Sequence, residues 1–229
     1  MKKISCILVL LALLASSVFS QDCTLYIPGT IGTELHYQTT NAKGKVEGIY
    51  TQKMLSVKEN GSQTTFKLLQ TIMDPKSPES IIKQDTFEFR CDGNVFYIDM
   101  EKYLNQQQME GFKDMEVKIS TEDLVYPSKL STGLELPDGS ISLEIGDGIL
   151  NMTTNIVHRK VEAYENITTE AGTFKCYKIS EDVKSKMGFV NVQLHNLVWI
   201  VQDIGTIRNE SYNKKGKLGS TTELIKIIR

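Results

Sequence analysis

The chain has 229 residues, 40% of them apolar, with 26 basic against 28 acidic side chains and a net charge of −2. That is enough apolar material for one core, and the missing basic excess argues against nucleic acid as a partner and against a polybasic hold on anionic lipid. Four cysteines are present, none in a CxxC pair, so neither a zinc motif nor a dithiol redox motif is supported.

The first twenty residues form the first element. Met1-Lys2-Lys3 is a short basic start, Ile4 to Leu14 is an apolar run, and Val18-Phe19-Ser20 offers a small or branched residue at −3 and a small one at −1. This is the layout of a cleaved secretory signal. It predicts cleavage after Ser20, a single domain over residues 21–229, and a soluble periplasmic protein. The apolar run is shorter than the ~20 residues that a spanning helix needs. Cys23, preceded by Gln21 and Asp22, is a poor context for lipidation. Loss of Lys2 and Lys3 takes the charge to −4. Cys6 leaves with the signal, so Cys23, Cys91 and Cys176 remain, and sequence leaves all three pairings open. Cys23 with Cys91 is the pair favoured here. Cys23 sits in a free terminal segment and Cys91 ends a strand, whereas Cys176 is mid-strand, where the geometry is less forgiving.

The mature chain reads as strands broken by turn dipeptides. Glu34 to Thr40 leads into Asn41-Ala-Lys-Gly44. Val46 to Lys58 is followed by Asn60-Gly61, a hairpin signal, and Thr64 to Met73 returns. Asp74-Pro-Lys-Ser-Pro78 reads as the most linker-like stretch. Thr86 to Cys91 turns at Asp92-Gly93 into Asn94 to Met100. Met100 to Phe112 is the best helix candidate, of two or three turns at most. Asp123 to Asp138, with Pro127 and Pro137, reads as a crossing between two groups of strands. Ile141, Leu143 and Ile145 alternate with polar neighbours, which places them on one sheet face. Ile149 to Thr168 reads as one long bent strand, turned at Ala171-Gly172 into Phe174 to Val183. Val190 to Val201 ends in Leu197–Val201, apolar on both faces, which predicts a strand covered on both sides. Thr206 to Tyr212, a Lys215-Gly216 turn and Ser220 to Ile228 close the chain. The expected fold is mainly β: a strongly curved antiparallel sheet, or half-barrel, with one or two short helices.

No catalytic set stands out. His36, His158 and His195 are far apart in sequence, each in an expected strand, and none stands at metal-ligand spacing. HExxH, Gly-x-Ser-x-Gly and phosphate-loop motifs are missing. Asp92, Asp138, Asp147 and Asp203 lie beside or near glycines, where turn duty explains them. Neither metal nor cofactor is expected. Trp199 is the only tryptophan and lies in the most apolar strand, Asn196–Val201. It reads as a core residue or as a wall of an apolar pocket.

Two segments carry a resemblance. Ala171-Gly-Thr-Phe-Lys-Cys-Tyr-Lys-Ile179 resembles a turn-and-strand segment, and Val198-Trp-Ile-Val-Gln-Asp-Ile-Gly-Thr-Ile-Arg-Asn-Glu-Ser-Tyr212 resembles a tryptophan-to-tyrosine hairpin. Lys215-Gly-Lys217 and Glu223-Leu-Ile-Lys-Ile227 complete it. Together they resemble the TapB-like family of exported bacterial proteins, itself similar to the half-barrel carriers of the LolA/LolB superfamily. The match is clearest over residues 150–229. The resemblance implies a curved, partly closed sheet with a short helix or loop plugging its open side. It implies no catalytic residues.

Two functional readings follow: a non-enzymatic binding module that holds an apolar small molecule or acyl lipid on the concave face, or a structural or assembly factor that engages envelope proteins and has a packed interior. For the first, Phe96, Ile98, Met152 and Trp199 are the expected lining residues.

Overall fold

Period-two alternation and glycine-centred turns fold the chain into an all-antiparallel sheet. The computed structural model describes residues 23–101, 115–148 and 150–229, and among these there are thirteen strands and no α-helix. The strands are β1 (Glu34–Asn41), β2 (Val46–Asn60), β3 (Gln63–Asp74), β4 (Ser77–Asp92), β5 (Val95–Ile98), β6 (Val117–Glu122), β7 (Leu124–Pro127), β8 (Gly139–Ile145), β9 (Leu150–Thr169), β10 (Gly172–Met187), β11 (Val190–Val201), β12 (Gly205–Asn213) and β13 (Leu218–Ile228). The helix expected over Met100–Phe112 falls almost wholly on residues 102–114, outside the described residues. The signal sequence and its cleavage site lie outside them too.

All thirteen strands join one sheet in the order β6-β8-β9-β10-β11-β12-β13-β1-β2-β3-β4-β5-β7. The two edge strands, β6 and β7, are separated in the chain by Asp123 alone. One extended run therefore pairs with β8 through its first half and with β5 through its second. A sheet whose two edges are held by one residue must curl almost to closure. This corrects the half-barrel expectation towards a nearly closed barrel.

Closure is reinforced by Arg159 of β9. Its guanidinium donates to the carbonyl of Val125 in β7 at 3.4 Å and to that of Pro137 at 2.6 Å. Gly139 at the start of β8 lies close against the same strand: a Cβ there would come within 2.5 Å of Leu124 Cδ2.

Strand reversal puts the hairpins at two ends. At one end lie the β2–β3, β4–β5, β9–β10 and β11–β12 turns, together with the N-terminal segment 23–33. That segment is tied across this end: Cys23 is disulfide-bonded to Cys91, Thr24 Oγ1 donates to the carbonyl of Ser128 at 2.8 Å, and Asp203 N donates to the carbonyl of Leu25 at 2.9 Å. Tyr26 and Ile27 are buried in the core. At the other end lie the β1–β2, β3–β4, β8–β9, β10–β11 and β12–β13 hairpins.

Gly205 opens β12 beneath the N-terminal segment, with φ +108° and an added Cβ only 2.9 Å from the carbonyl oxygen of Tyr26. Gly205→Ala should therefore cost about 1–3 kcal/mol, from backbone strain plus the backbone clash. Chemical denaturation would measure it. A loss below about 0.5 kcal/mol, the range of a neutral surface substitution, would show that the segment yields freely.

The interior divides into two apolar clusters. One gathers Tyr26, Met54, Phe66, Leu68, Phe89, Phe96, Leu124, Tyr126, Ile141, Leu143, Val161, Ile179 and Ile200, among others. The second joins Leu35, Tyr37, Cys176, Trp199, Ile207 and Leu224. The run from Leu197 to Val201 is shared between them: Val198 and Ile200 face the first, Leu197, Trp199 and Val201 the second. Covering both faces of this strand explains its lack of alternation.

Two segments differ from the sequence reading. The linker-like stretch at Asp74–Pro78 is the β3–β4 hairpin, and β4 begins at Ser77. Its first half is exposed, Ile81 and Ile82 included, so burial leaves no alternating signature there. The long strand β9 bends at His158, which takes φ +55° where the register with β10 shifts.

Candidate functional site

Among the described residues a cavity of about 670 Å³ lies in the barrel, within the 300–1,000 Å³ range usual for small-molecule pockets. Its two sides differ in chemistry. Strands β5, β7, β8 and β9 with the adjoining Met100 contribute Ile98, Met100, Leu124, Tyr126, Ile141, Leu143, Met152 and Ile156, together with Thr153 and Thr154. Strands β1, β2, β3, β12 and β13 contribute Tyr37, Tyr50, Gln52, Gln70, Thr206, Asn209 and Thr222. The lining is thus a mainly apolar wall, interrupted by Thr153 and Thr154, opposite a mainly hydrogen-bonding one. The asymmetry follows from sequence: strands β8 and β9 point Ile, Leu and Met inward, whereas Thr, Gln and Asn alternate with apolar residues on β1–β3 and β12–β13.

The polar wall is ordered. Tyr37 and Tyr50 stack with ring centroids 4.8 Å apart, and the Tyr37 hydroxyl donates to the carbonyl of Thr206 at 3.0 Å. Burial pushes the Tyr37 and Tyr50 hydroxyls well above the usual phenol range, so both are neutral donors. Thr39 and Thr222 share a hydroxyl hydrogen bond of 2.8 Å. Asn209 Oδ1 is a buried acceptor with no protein partner and is available to a ligand donor.

A buried charge pair adjoins the cavity. Arg159, 1% exposed, lies 3.5 Å from Glu181 through Nε and covers the Tyr126 ring at 4.7 Å. Its Nε and Nη2 make no hydrogen bond. Burial raises the Glu181 carboxyl above its ordinary value, with Arg159 and Asn196 opposing the shift.

The four lining residues expected from sequence fall in three places. Ile98 and Met152 line the cavity. Phe96 is fully buried beside it, stacked on Phe89 at 5.9 Å. Trp199 belongs to the second cluster, across the pleat from the cavity-lining Val198. Its Nε1 donates to Glu165 at 2.7 Å, and Lys178 and Arg208 cover its ring at 5.2 and 5.7 Å. The ligand environment is therefore centred on β8–β9, not on Trp199. The polar wall and the Arg159–Glu181 pair were not picked out from sequence, because Thr, Gln and Asn in strands read as solvent-facing.

A second constellation lies in strands β9–β11, beside a groove of about 470 Å³. His158 and His195 each place Nδ1 2.9 Å from the Asp182 carboxylate. Sequence separates the two histidines, but register unites them: Asp182 stands opposite Val157 on one side and His195 on the other. Hydrogen bonds from His158, then His195, hold the Asp182 carboxyl below its usual range. Among the described residues no group of metal-ligating side chains is arranged to hold an ion. Cys176 is a buried free thiol whose pKa burial pushes up to about 11, which leaves it unreactive.

The described strands thus form a nearly closed antiparallel barrel, plugged at one end by the N-terminal segment, with a cavity inside. Residues 30–224 match the DUF3108-like family model, and the chain belongs to that family. Two solved structures share the fold. One is a protein from Bacteroides fragilis described as exported, with a YmcC-like fold; it is 20% identical, covers 90% of this chain and 100% of its own, and has a TM-score of 0.71. The other, from Parabacteroides distasonis, is described as a lipoprotein; it is 21% identical, covers 91% and 100% and has a TM-score of 0.72. No curated protein matches the chain.

Proposed function

We propose that this is an exported, soluble, non-enzymatic binding module whose barrel holds an amphiphile with an acyl or similarly apolar chain. The observation that carries the reading is the two-sided cavity: mainly apolar side chains from β5 and β7–β9 to receive the chain, and a mainly hydrogen-bonding wall on β1–β3 and β12–β13 for a polar group. The resemblance to LolA/LolB-type carriers of acyl chains supports it, as does the secretory layout of residues 1–20. The Cys23–Cys91 bridge favours a soluble form over a lipid-anchored one, since a bridged sulfur cannot carry a thioether.

Burying roughly sixteen methylene groups would contribute about 13 kcal/mol gross. Association costs remove several kcal/mol of this, which leaves micromolar affinity. The test is titration with a fluorescent fatty acid and displacement by unlabelled lipid. Met152→Trp, placed on a half-buried cavity wall, should block uptake while leaving the unfolding midpoint within a few degrees. Trp199→Ala should act on stability rather than by removing a ligand contact. If no lipid class binds below about millimolar and native protein carries none by mass spectrometry, the reading as an envelope assembly factor takes its place.

A further inference from the structure

The hairpin end of the barrel combines two features that the overall charge conceals. Hairpins β10–β11, β12–β13 and β1–β2 are consecutive around the sheet, and Ala42 N donates to the carbonyl of Gly219 at 3.1 Å, linking the last two. Their tips carry seven exposed lysines: Lys184 and Lys186, Lys214, Lys215 and Lys217, and Lys43 and Lys45. On these three tips the one exposed carboxylate, Glu47, accepts from Asn41 Nδ2; the flanking hairpins add exposed Glu79 on β3–β4 and Asp147 on β8–β9, the latter paired with Lys118. The β10–β11 tip also projects Met187, Phe189, Val190 and Val192 into water, with Phe189 fully exposed. The next hairpin, β3–β4, adds exposed Ile81 and Ile82.

We propose that this end docks the barrel onto an anionic phospholipid surface, with Phe189 and Val190 entering the acyl boundary and the lysine arc resting on headgroups. Among the described residues nothing covers Phe189 at this tight hairpin tip. Lysines beside an apolar insertion are the recognised chemistry of interfacial binding. Charge complementarity selects this occupant: a soluble polyanion would satisfy the lysines and leave Phe189 and Val190 in water, and a second copy would bring two lysine arcs together. Seven of the chain's 26 basic side chains stand on these three adjacent tips, a local positive arc that the net charge of −2 does not reveal. The proposal does not rest on the cavity reading, since vesicle docking needs no ligand inside the barrel.

The experiment is co-sedimentation of the mature protein with vesicles of equal phosphatidylglycerol and phosphatidylcholine, beside vesicles of phosphatidylcholine alone. Binding to the anionic vesicles only, weakened by salt, is expected. Lys214→Gln/Lys215→Gln/Lys217→Gln should lower the partition coefficient on the order of a hundredfold. In a Phe189→Trp variant, anionic vesicles should shift the emission to the blue, whereas the buried Trp199 of the parent should not respond. All four substituted positions are exposed, and an unchanged unfolding midpoint confirms the fold. Equal binding to both vesicle types, no loss in the triple variant, an unmoved emission in the Phe189→Trp variant, or self-association through the β10–β11 tip in place of vesicle binding would each overturn the proposal.

Discussion

Replacing Arg159 with methionine should be among the most damaging single changes in the barrel, at about 3–5 kcal/mol. The side chain of Arg159 is fully buried, 3.5 Å from Glu181, whose side chain is only 11% exposed, so its removal strands a carboxylate in a low-dielectric interior. The change also removes the donor to the carbonyls of Val125 and Pro137 and uncovers the Tyr126 ring. Those contacts hold β7 against β9, where the sheet closes. The pair itself is poorly bonded, since Arg159 Nε and Nη2 lack hydrogen-bond partners. The double variant Arg159→Met/Glu181→Gln should therefore recover a large part of the loss, because it removes both desolvated charges together. Urea denaturation of the two single variants and the double variant measures the coupling. Simple additivity would mean that Arg159 acts only as a packing element.

The same pair sets a pH dependence. Burial raises the Glu181 pKa in the folded state above its unfolded value, so the folded state holds a proton that the unfolded chain has lost. Between those two values stability falls as pH rises, and above the folded value the full cost is present. Glu181→Gln should flatten this part of the profile. Asp182, held low by His158 and His195, works in the opposite sense: its contribution is present above the ordinary carboxylate value and is lost as pH falls through the folded value. Because Asp182 is partly exposed, solvent screening keeps its contribution small.

The fold was legible where burial is one-sided and turns are strong. Ile141, Leu143 and Ile145 alternate because one face of β8 is buried, and Asn60-Gly61 and Asp92-Gly93 mark hairpins because glycine takes the positive φ that the turns require. Closure of the barrel was not legible. It depends on Asp123 joining two strands that pair at opposite edges of the sheet, a long-range fact with no local signature. The first half of β4 was missed because it is exposed, so Ile81 and Ile82 show no alternation against a core.

The candidate site was partly legible for a related reason. Met152 and Ile98 are apolar and easily read as lining. Tyr37, Gln52, Asn209 and Thr222 look like ordinary strand polar residues until the sheet curls and turns them inward. Trp199 was the most conspicuous residue of its strand, but the pleat puts it and Val198 on opposite faces, and it is Val198 that meets the cavity. Net charge is blind to placement in the same way. The overall balance argues against a polybasic hold on anionic lipid, but it does not register that antiparallel order collects the lysine-rich turns Lys43–Lys45 and Lys214–Lys217 at one end. Summed charge carries no record of that placement.

Loss of the Cys23–Cys91 bridge should lower stability by about 2–5 kcal/mol. The cysteines stand 68 positions apart, and closing a loop of that length restricts the unfolded chain by about 4 kcal/mol in the chain-entropy account. The folded state also has something to lose. The segment that begins at Cys23 seats Tyr26 against Phe96 and Tyr126, with centroids 6.2 and 5.4 Å away, and plugs one end of the barrel. Few other ties hold its first residues: the Thr24 hydroxyl to Ser128 and the Leu25 carbonyl to Asp203 N. Cys23→Ser/Cys91→Ser should therefore shift the urea midpoint down and speed exchange of backbone amides around Tyr26 before those of β9 and β10. Cys176→Ser serves as the control. Its thiol is buried and held protonated, so it neither exchanges with the bridge nor contributes a link. Reduction of the parent should reproduce the double variant. A double variant within about 0.5 kcal/mol of the parent would show that Tyr26 and Ile27 hold the plug by packing alone.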